Sequence, residues 1–355
     1  HSICVKILRR FIDRIGFDTS FIIFDTSDQR TLIKECIKAC DLDEKMFADR
    51  AVLSEISNVE YNSISGVFNS YSPELNTFFG ENNIENYILC SRSNEYEFGI
   101  SCSNYKYIKG QAIKSRLLGN YGFNSKKETK KIISELDKIA PDIVHLHNIH
   151  GHDCNLEMLL SYFKEKKTKL VWTFHDCWTF TGYCTYFDMF KCDKWKTECK
   201  DCVQKHSYSL LFDRSNKLYK KKKQLFEGLD LTIVTPSRWL ADMVKESFLK
   251  DYPIQVIYNG IDLDVFTPTD SDFRNKYGIG SKKIVLGVSV EWGNRKGLDV
   301  FVELSKRLSA DYQIVLVGTN DEVDKRLPDN IISIHRTQNQ KELAEIYSAA
   351  DVFAN

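Results

Sequence analysis

The sequence predicts an α/β protein built on parallel sheets, and three observations carry that prediction. Val171 to Trp178, VWTFHDCW, runs a β-branched and aromatic strand straight into the ionisable pair His175 and Asp176. Helical and strand-like segments then alternate at regular lengths from Ile84 to Ala354. Two further strand-to-turn units repeat the pattern, Thr235–Leu240 leading to Val256–Pro268, and Val288–Val300. Apolar strands of this kind are buried on both faces, as parallel sheets require, and residues just past a strand's carboxyl end are where open α/β sheets hold ligands. His175 is therefore the first candidate functional residue, weighed against a histidine merely satisfied within a loop.

Taken in order, residues 1–58 read as a compact helix, loop and helix. Ile3, Val5, Ile7, Leu8, Phe11 and Ile12 make an apolar face with Arg9, Arg10 and Arg14 among them, and Phe21 to Phe24 form a short strand. Asp25 or Thr26 caps a helix over Asp28 to Ala39, where Leu32, Ile33, Cys36, Ile37 and Cys40 fall at helical spacing. Tyr61 to Phe68, YNSISGVF, holds a single turn glycine, Gly66. Ile84 to Cys90 is a strand, Lys126 to Ile139 a helix with Ile132, Ile133, Leu136 and Ile139 on one face, and Asp142 to His147 the next strand. Leu156 to Lys164 is the helix that crosses back to the strand before His175, a parallel connection. His145, His147, His150 and His152 crowd the end of the Asp142 strand. Strand alternation puts His145 and His147 on one face, which leaves a metal pair open beside a hydrogen-bonding role.

Four of the eleven cysteines, Cys184, Cys192, Cys199 and Cys202, are spaced C-x7-C-x6-C-x2-C, ending in the half-site that tetrahedral zinc favours. A structural zinc knuckle, free thiols and a disulfide or redox pair all remain open at this stage. Lys217 to Leu229, KLYKKKKQLFEGL, is a basic amphipathic helix. Its lysines at 220–223 are either a solvated face or a source of peripheral attraction to an anionic membrane. Leu231 to Pro236 is expected as the last strand of the first unit, with Asn259-Gly260 and Pro268 marking a hinge. A second unit follows: strand Lys283–Val290, loop Glu291–Lys296, helix Gly297–Leu308, strands Gln313–Gly318 and Ile331–His335, helix Gln340–Ala349 and strand Asp351–Ala354. Arg295 can present a bidentate fork and Lys296 a compact charge, both beside the helix amino terminus at Gly297, where anions are favoured.

Together TPSRWL, VIYNGIDLDVFTP and VSVEWGNRKGLDV, with the His175-Asp176 turn, resemble the retaining sugar-nucleotide transferases of glycosyltransferase family 4, of the bacterial capsular and exopolysaccharide type. The resemblance runs from about Tyr61 to Asn355. It implies a GT-B-like fold, two Rossmann-like domains facing a cleft: 59–257 as acceptor domain with a cysteine-rich insertion at 184–202, and 258–355 as an incomplete donor domain. It also implies transfer of a hexose from a UDP- or GDP-sugar to a polysaccharide or lipid-linked saccharide acceptor, with retention. His175 and Asp176 would orient acceptor and donor sugar, and His147, Asn148 and His150 would line the acceptor side. Arg295, Lys296, Gly297 and Gly66 would take the donor, with no catalytic metal and the cysteine-rich insertion, zinc-bound or not, in a structural job. The arginine that many members carry beside Glu291 is missing, and neither the paired glutamates that follow ADVF-like strands nor the bracing terminal helix occurs up to Asn355. Impaired activity is the expected consequence.

Residues 1–58 closely resemble a segment of UvrD/PcrA-type DNA helicases. No G-x-x-x-x-G-K-[ST] loop occurs to cradle ATP phosphates, so the chain is not itself expected to be a helicase. This mainly helical segment is expected to pack as an extension, with DNA contact through Arg9, Arg10 and Arg14 as the alternative. Two other functional readings accompany the transferase: a catalytically inactive fusion or binding protein, and a DNA-binding relic of a helicase.

At 355 residues, 43% hydrophobic and 28% charged, the chain can bury two ordinary cores. Lys and Arg number 49 against 49 Asp and Glu, so nothing favours polyanions generally, and nucleic acid is not an expected partner. No uninterrupted apolar stretch of about 18 residues and no signal-peptide core is present. Cytoplasmic localisation, with peripheral contact at the inner membrane face, is the expectation.

Overall fold

The structure, a computed structural model, describes residues 87–90, 99–101 and 105–354. The helix-loop-helix expected over 1–58, Gly66, and the opening of the strand expected from Ile84 lie outside the described residues. Within them the fold is α/β and every strand pairing is parallel. β1 (Ile88–Cys90) pairs with β2 (Gly99–Ser101). Four strands form a second sheet in the order β3-β4-β5-β6: Ile143–Leu146, Lys169–Thr173, Leu231–Thr235 and Ile254–Val256. A third sheet has the order β10-β7-β8-β9, from Val352–Phe353, Lys283–Val288, Tyr312–Val317 and Ile331–Ile334. These two four-stranded sheets are the pair of Rossmann-like sheets that the alternation predicts.

The sequence explains how each sheet is covered. Seven helices of nine residues or more occur among the described residues: α1 (Tyr105–Leu118), α2 (Lys126–Ile139), α3 (Leu156–Lys166), α4 (Ser215–Phe226), α5 (Arg238–Glu246), α6 (Leu298–Arg307) and α7 (Gln340–Ala349). Three of them start on side chains that accept an otherwise orphaned N–H: Asn155 from Met158, Ser237 from Leu240 and Asn339 from Glu342. In the β7–β10 sheet the two-residue period sorts the core onto both faces. Ile284, Leu286, Val315 and Val317 pack in one cluster, while Val285, Ile314 and Leu316 pack in the other. The β3–β6 sheet shares one large cluster that runs from Leu136 to Leu249 and takes in Trp172, Phe174, Trp178, Phe180 and Trp195.

Two expectations need correction. Leu231–Thr235 is not the last strand of its sheet, because Ile254–Val256 adds an edge strand beyond it. A three-residue, half-buried strand after Pro253 leaves too short a pattern to read. The lysine run is not solvated throughout: Lys222 is fully buried, while Lys220 and Lys223 are exposed, Lys221 pairs with Glu157 at 2.6 Å and Lys220 with Glu198 at 2.7 Å. The cysteine-rich loop also has an apolar anchor, since Phe187 stacks on Trp195 at 4.9 Å and both join the core with Phe180. No helix among the described residues is long and apolar enough to cross a membrane.

Candidate functional site

The carboxyl ends of β3 and β4 lie side by side, with Leu146 opposite Trp172, so the segments that continue them meet above the sheet edge. His147, Asn148, Ile149 and His150 extend β3; Phe174, His175 and Asp176 extend β4; all seven line one small cavity, together with Trp178 and Thr179. His147 Nδ1 lies 3.0 Å from His175 Nε2, with the rings stacked at 5.4 Å between centroids. Two imidazoles bonded this way need one proton between them, so one ring donates and the other accepts.

His150 Nε2 lies 2.7 Å from Asp176 Oδ2, and these side chains are only 13% and 12% exposed. The other oxygen, Asp176 Oδ1, accepts the Trp178 N–H at 2.8 Å. Burial pushes the Asp176 carboxyl up, but His150, the Trp178 N–H and Lys222 outweigh it and hold the group below the usual carboxylate range. An ionised carboxylate only accepts, so His150 must carry its proton on Nε2. Both Asp176 oxygens are thus engaged by protein. The residue expected to touch sugar sits as a brace between the two strand ends.

Burial holds His175 below its ordinary value, Asp176 pulling upward and His150 adding to the depression. His147 lies well below its own, through burial and then His145 and His175. Both imidazoles are neutral at pH 7, which suits hydrogen bonding to a hydroxyl better than fixing an anion. His145 does not join His147 around a metal. Its Nε2 bonds Thr173 Oγ1 at 2.8 Å, and its ring packs 4.3 Å from that of His147. Trp178 Nε1 and Thr179 Oγ1 are buried without a protein partner and line the same cavity, leaving polar capacity for a bound molecule.

The loop carrying this site is pinned by a residue that sequence reasoning read as surface. Lys222 Nζ donates to the Trp178 carbonyl at 2.5 Å and the Thr181 carbonyl at 3.1 Å, and sits 3.7 Å from the centre of the Trp178 ring. Burial pushes its ammonium down to about 7, against an upward pull from Cys199, Asp176 and Cys184. The signal was helical period. Leu218, Tyr219 and Phe226 are the other large side chains buried on α4, and position 222 lies one turn from each of them.

Arg295 and Lys296 are exposed in a 3-10 turn, Asn294–Lys296, just before α6. Gly297 takes φ 69°, a left-handed conformation that costs glycine nothing and turns the chain into the helix. The Arg295 guanidinium lies 4.3 Å from the centre of the Tyr186 ring, so this turn of the second four-stranded sheet reaches the loop that follows the His-Asp segment of the first. Burial and Asp176 raise the Tyr186 phenol, while Arg295 opposes them. Tyr186 gave no sequence signal, because its partner lies more than a hundred residues away in the chain. The four cysteines of the insertion line a separate cavity, and Gly66 lies outside the described residues.

Residues 81–265 match the protein-family model described as Glycosyltransferase Family 4. A 133-residue stretch is 33% identical to WcaC of Escherichia coli (strain K12), a glycosyl transferase assigned provisionally to colanic acid biosynthesis, covering 35% of this chain and 32% of WcaC. A 60-residue stretch is 50% identical to the ATP-dependent DNA helicase PcrA of Bacillus subtilis (strain 168), covering 17% of this chain and 8% of PcrA. The chain therefore spans about a third or less of the length of these curated relatives. Among solved structures, sucrose-phosphate synthase from Thermosynechococcus elongatus is similar at a TM-score of 0.47 and 14% identity, over 86% of this chain and 69% of that one.

Proposed function

The chain belongs to glycosyltransferase family 4, and on that premise we propose that it moves a hexose from a UDP- or GDP-sugar to a saccharide or lipid-linked saccharide acceptor with retention of configuration. The observation that supports this reading is the approach of Arg295 to Tyr186, because it brings the turn that carries Arg295 to the loop that follows the His175-Asp176 segment.

In this reading Arg295 and Lys296 take the donor's diphosphate beside the amino terminus of α6, where guanidinium, ammonium and helix dipole all favour the charge that builds on the leaving group. The bond from the sugar's anomeric carbon to the diphosphate oxygen breaks as the acceptor oxygen bonds to that carbon from the same face. The acceptor's proton passes to the departing oxygen, so no protein nucleophile is needed. Neutral His175 hydrogen-bonds a sugar hydroxyl, with His147 fixing its ring and Asn148 free to meet the acceptor. Asp176 and His150 act as positioning residues that hold the strand ends together. Peripheral contact with a membrane fits Leu210, Leu211 and Phe212, which are exposed together just before the basic helix α4.

Sugar-nucleotide turnover by the protein, compared with Arg295→Ala and Lys296→Ala, tests the reading. Loss of an electrostatic donor to the leaving group should lower turnover about 100- to 1,000-fold. Unchanged turnover in both variants would reject the assignment.

A further inference from the structure

The cysteine-rich insertion forms a second centre that the transferase chemistry does not use. Cys184, Cys192, Cys199 and Cys202 all line one cavity beneath the loop. The Cys184 and Cys202 sulfurs are 3.9 Å apart, close to the separation of about 3.8 Å that two ligands take in a tetrahedral site with Zn–S bonds of about 2.3 Å. The surroundings of the cavity supply positive charge and hydrogen-bond donors. The Gly182 N–H donates to Cys199 Sγ at 3.3 Å. Trp195, only 3% exposed, lines the cavity, and its Nε1 is buried without a protein partner. Lys222 is 0% exposed, its Nζ held by two carbonyls and one indole ring; Asp176 attracts it, but no carboxylate forms an ion pair in contact with it among the described residues.

Neutral thiols do not explain such a setting, and a neutral disulfide explains it no better. A buried ammonium with no anion in direct contact is costly, and so is a buried N–H without an acceptor. Four thiolates around a divalent cation carry a net double negative charge and present sulfur acceptors to those donors. We propose that Cys184, Cys192, Cys199 and Cys202 bind one zinc ion, with Lys222 as its buried counter-cation and the Gly182 and Trp195 donors as its outer shell. Binding displaces the thiol protons and changes no oxidation state. Among the described residues the one three-ligand group already gathered within 4.8 Å is the exposed trio Asp321, Asp324 and His335. Binding therefore requires Cys192 and Cys199 to move towards the Cys184–Cys202 pair. The position of the site explains its use: Lys222 and the Thr181–Cys184 turn tie it to Trp178, whose N–H holds Asp176.

Elemental analysis of the purified protein tests this independently of any transferase activity. About one zinc per chain is expected. Serine in place of any of the four cysteines should abolish it, while Cys154→Ser and Cys177→Ser, buried outside this cavity, should retain it. Lys222→Met should weaken zinc about 10- to 100-fold in competition with a chelator, the usual cost of losing an outer-shell partner. If the serine variants do not fold, cobalt replacement in the unsubstituted protein decides, since four thiolate ligands give an intense sulfur-to-cobalt charge-transfer band. Iron in place of zinc, a Cys184–Cys202 disulfide in a non-reduced digest, or metal-free protein with all four thiols reactive would each overturn the proposal.

Discussion

Replacing His150 by alanine should loosen the whole candidate site. The substitution deletes the 2.7 Å bond to Asp176 and leaves a carboxylate, 12% exposed, with the Trp178 N–H as its remaining close protein donor. A hydrogen bond to a charged group contributes about 1.5–3 kcal/mol. The imidazole also stands edge-on to Trp178 at 5.1 Å, an aromatic contact that adds about 0.5–1 kcal/mol. The sum is about 2–4 kcal/mol, at the lower edge of what breaking a fully buried pair costs, as the residual exposure requires. Asp176→Asn keeps the oxygen that serves Trp178 and removes the charge, so it should cost less than His150→Ala. Urea unfolding at pH 7 of the two single variants and the double variant gives the coupling directly, expected at about 1.5–3 kcal/mol. A coupling below about 0.5 kcal/mol would mean that the two residues do not brace each other, and that Asp176 is available to bind sugar after all.

Three other perturbations have definite outcomes. His147 and His175 are both depressed in the fold, so the unfolded chain takes up protons first as pH falls below about 6.5. Stability from this source is fully present above that pH and declines below it, by at most about 1.4 kcal/mol per pH unit per group, and His147→Gln should flatten the decline measured by denaturation between pH 7 and 5. Gly318→Ala should destabilise by about 3 kcal/mol or more in thermal unfolding, because φ is 85° and the added Cβ would stand 1.7 Å from the Ser289 carbonyl oxygen. Tyr186→Ala removes the ring beneath Arg295, a contact of about 0.5–1 kcal/mol at an exposed site, so the donor KM should change roughly two- to fivefold while the unfolding midpoint stays put.

The fold was legible wherever burial imposed a period. Val171 to Phe174 and Ile284 to Leu286 announce strands covered on both faces, and α2 and α3 show their apolar stripes. Helix α1 did not, because Gly110 interrupts it and Ile113 and Leu117 face outward while Ile108 is buried. Of the site, His175, Asp176, His147 and His150 were all visible as strand-end residues. Their pairing was not, because it depends on the register that sets Leu146 opposite Trp172. Lys222 was misread because charge outweighed position: three neighbouring lysines suggested solvent, while the helical period placed that one residue inward. The cysteine spacing was plain, but the buried ammonium and the unmet indole N–H that favour a metal over free thiols come from separate segments.

Calorimetric titration of the protein with UDP and with GDP reaches the heart of the account, that Arg295 and Lys296 face a crevice built to hold a nucleoside diphosphate. One of the two nucleotides should bind saturably at a single site, and the heat should vanish in Arg295→Ala/Lys296→Ala. No heat with either nucleotide, or binding unaltered by the double substitution, would contradict it.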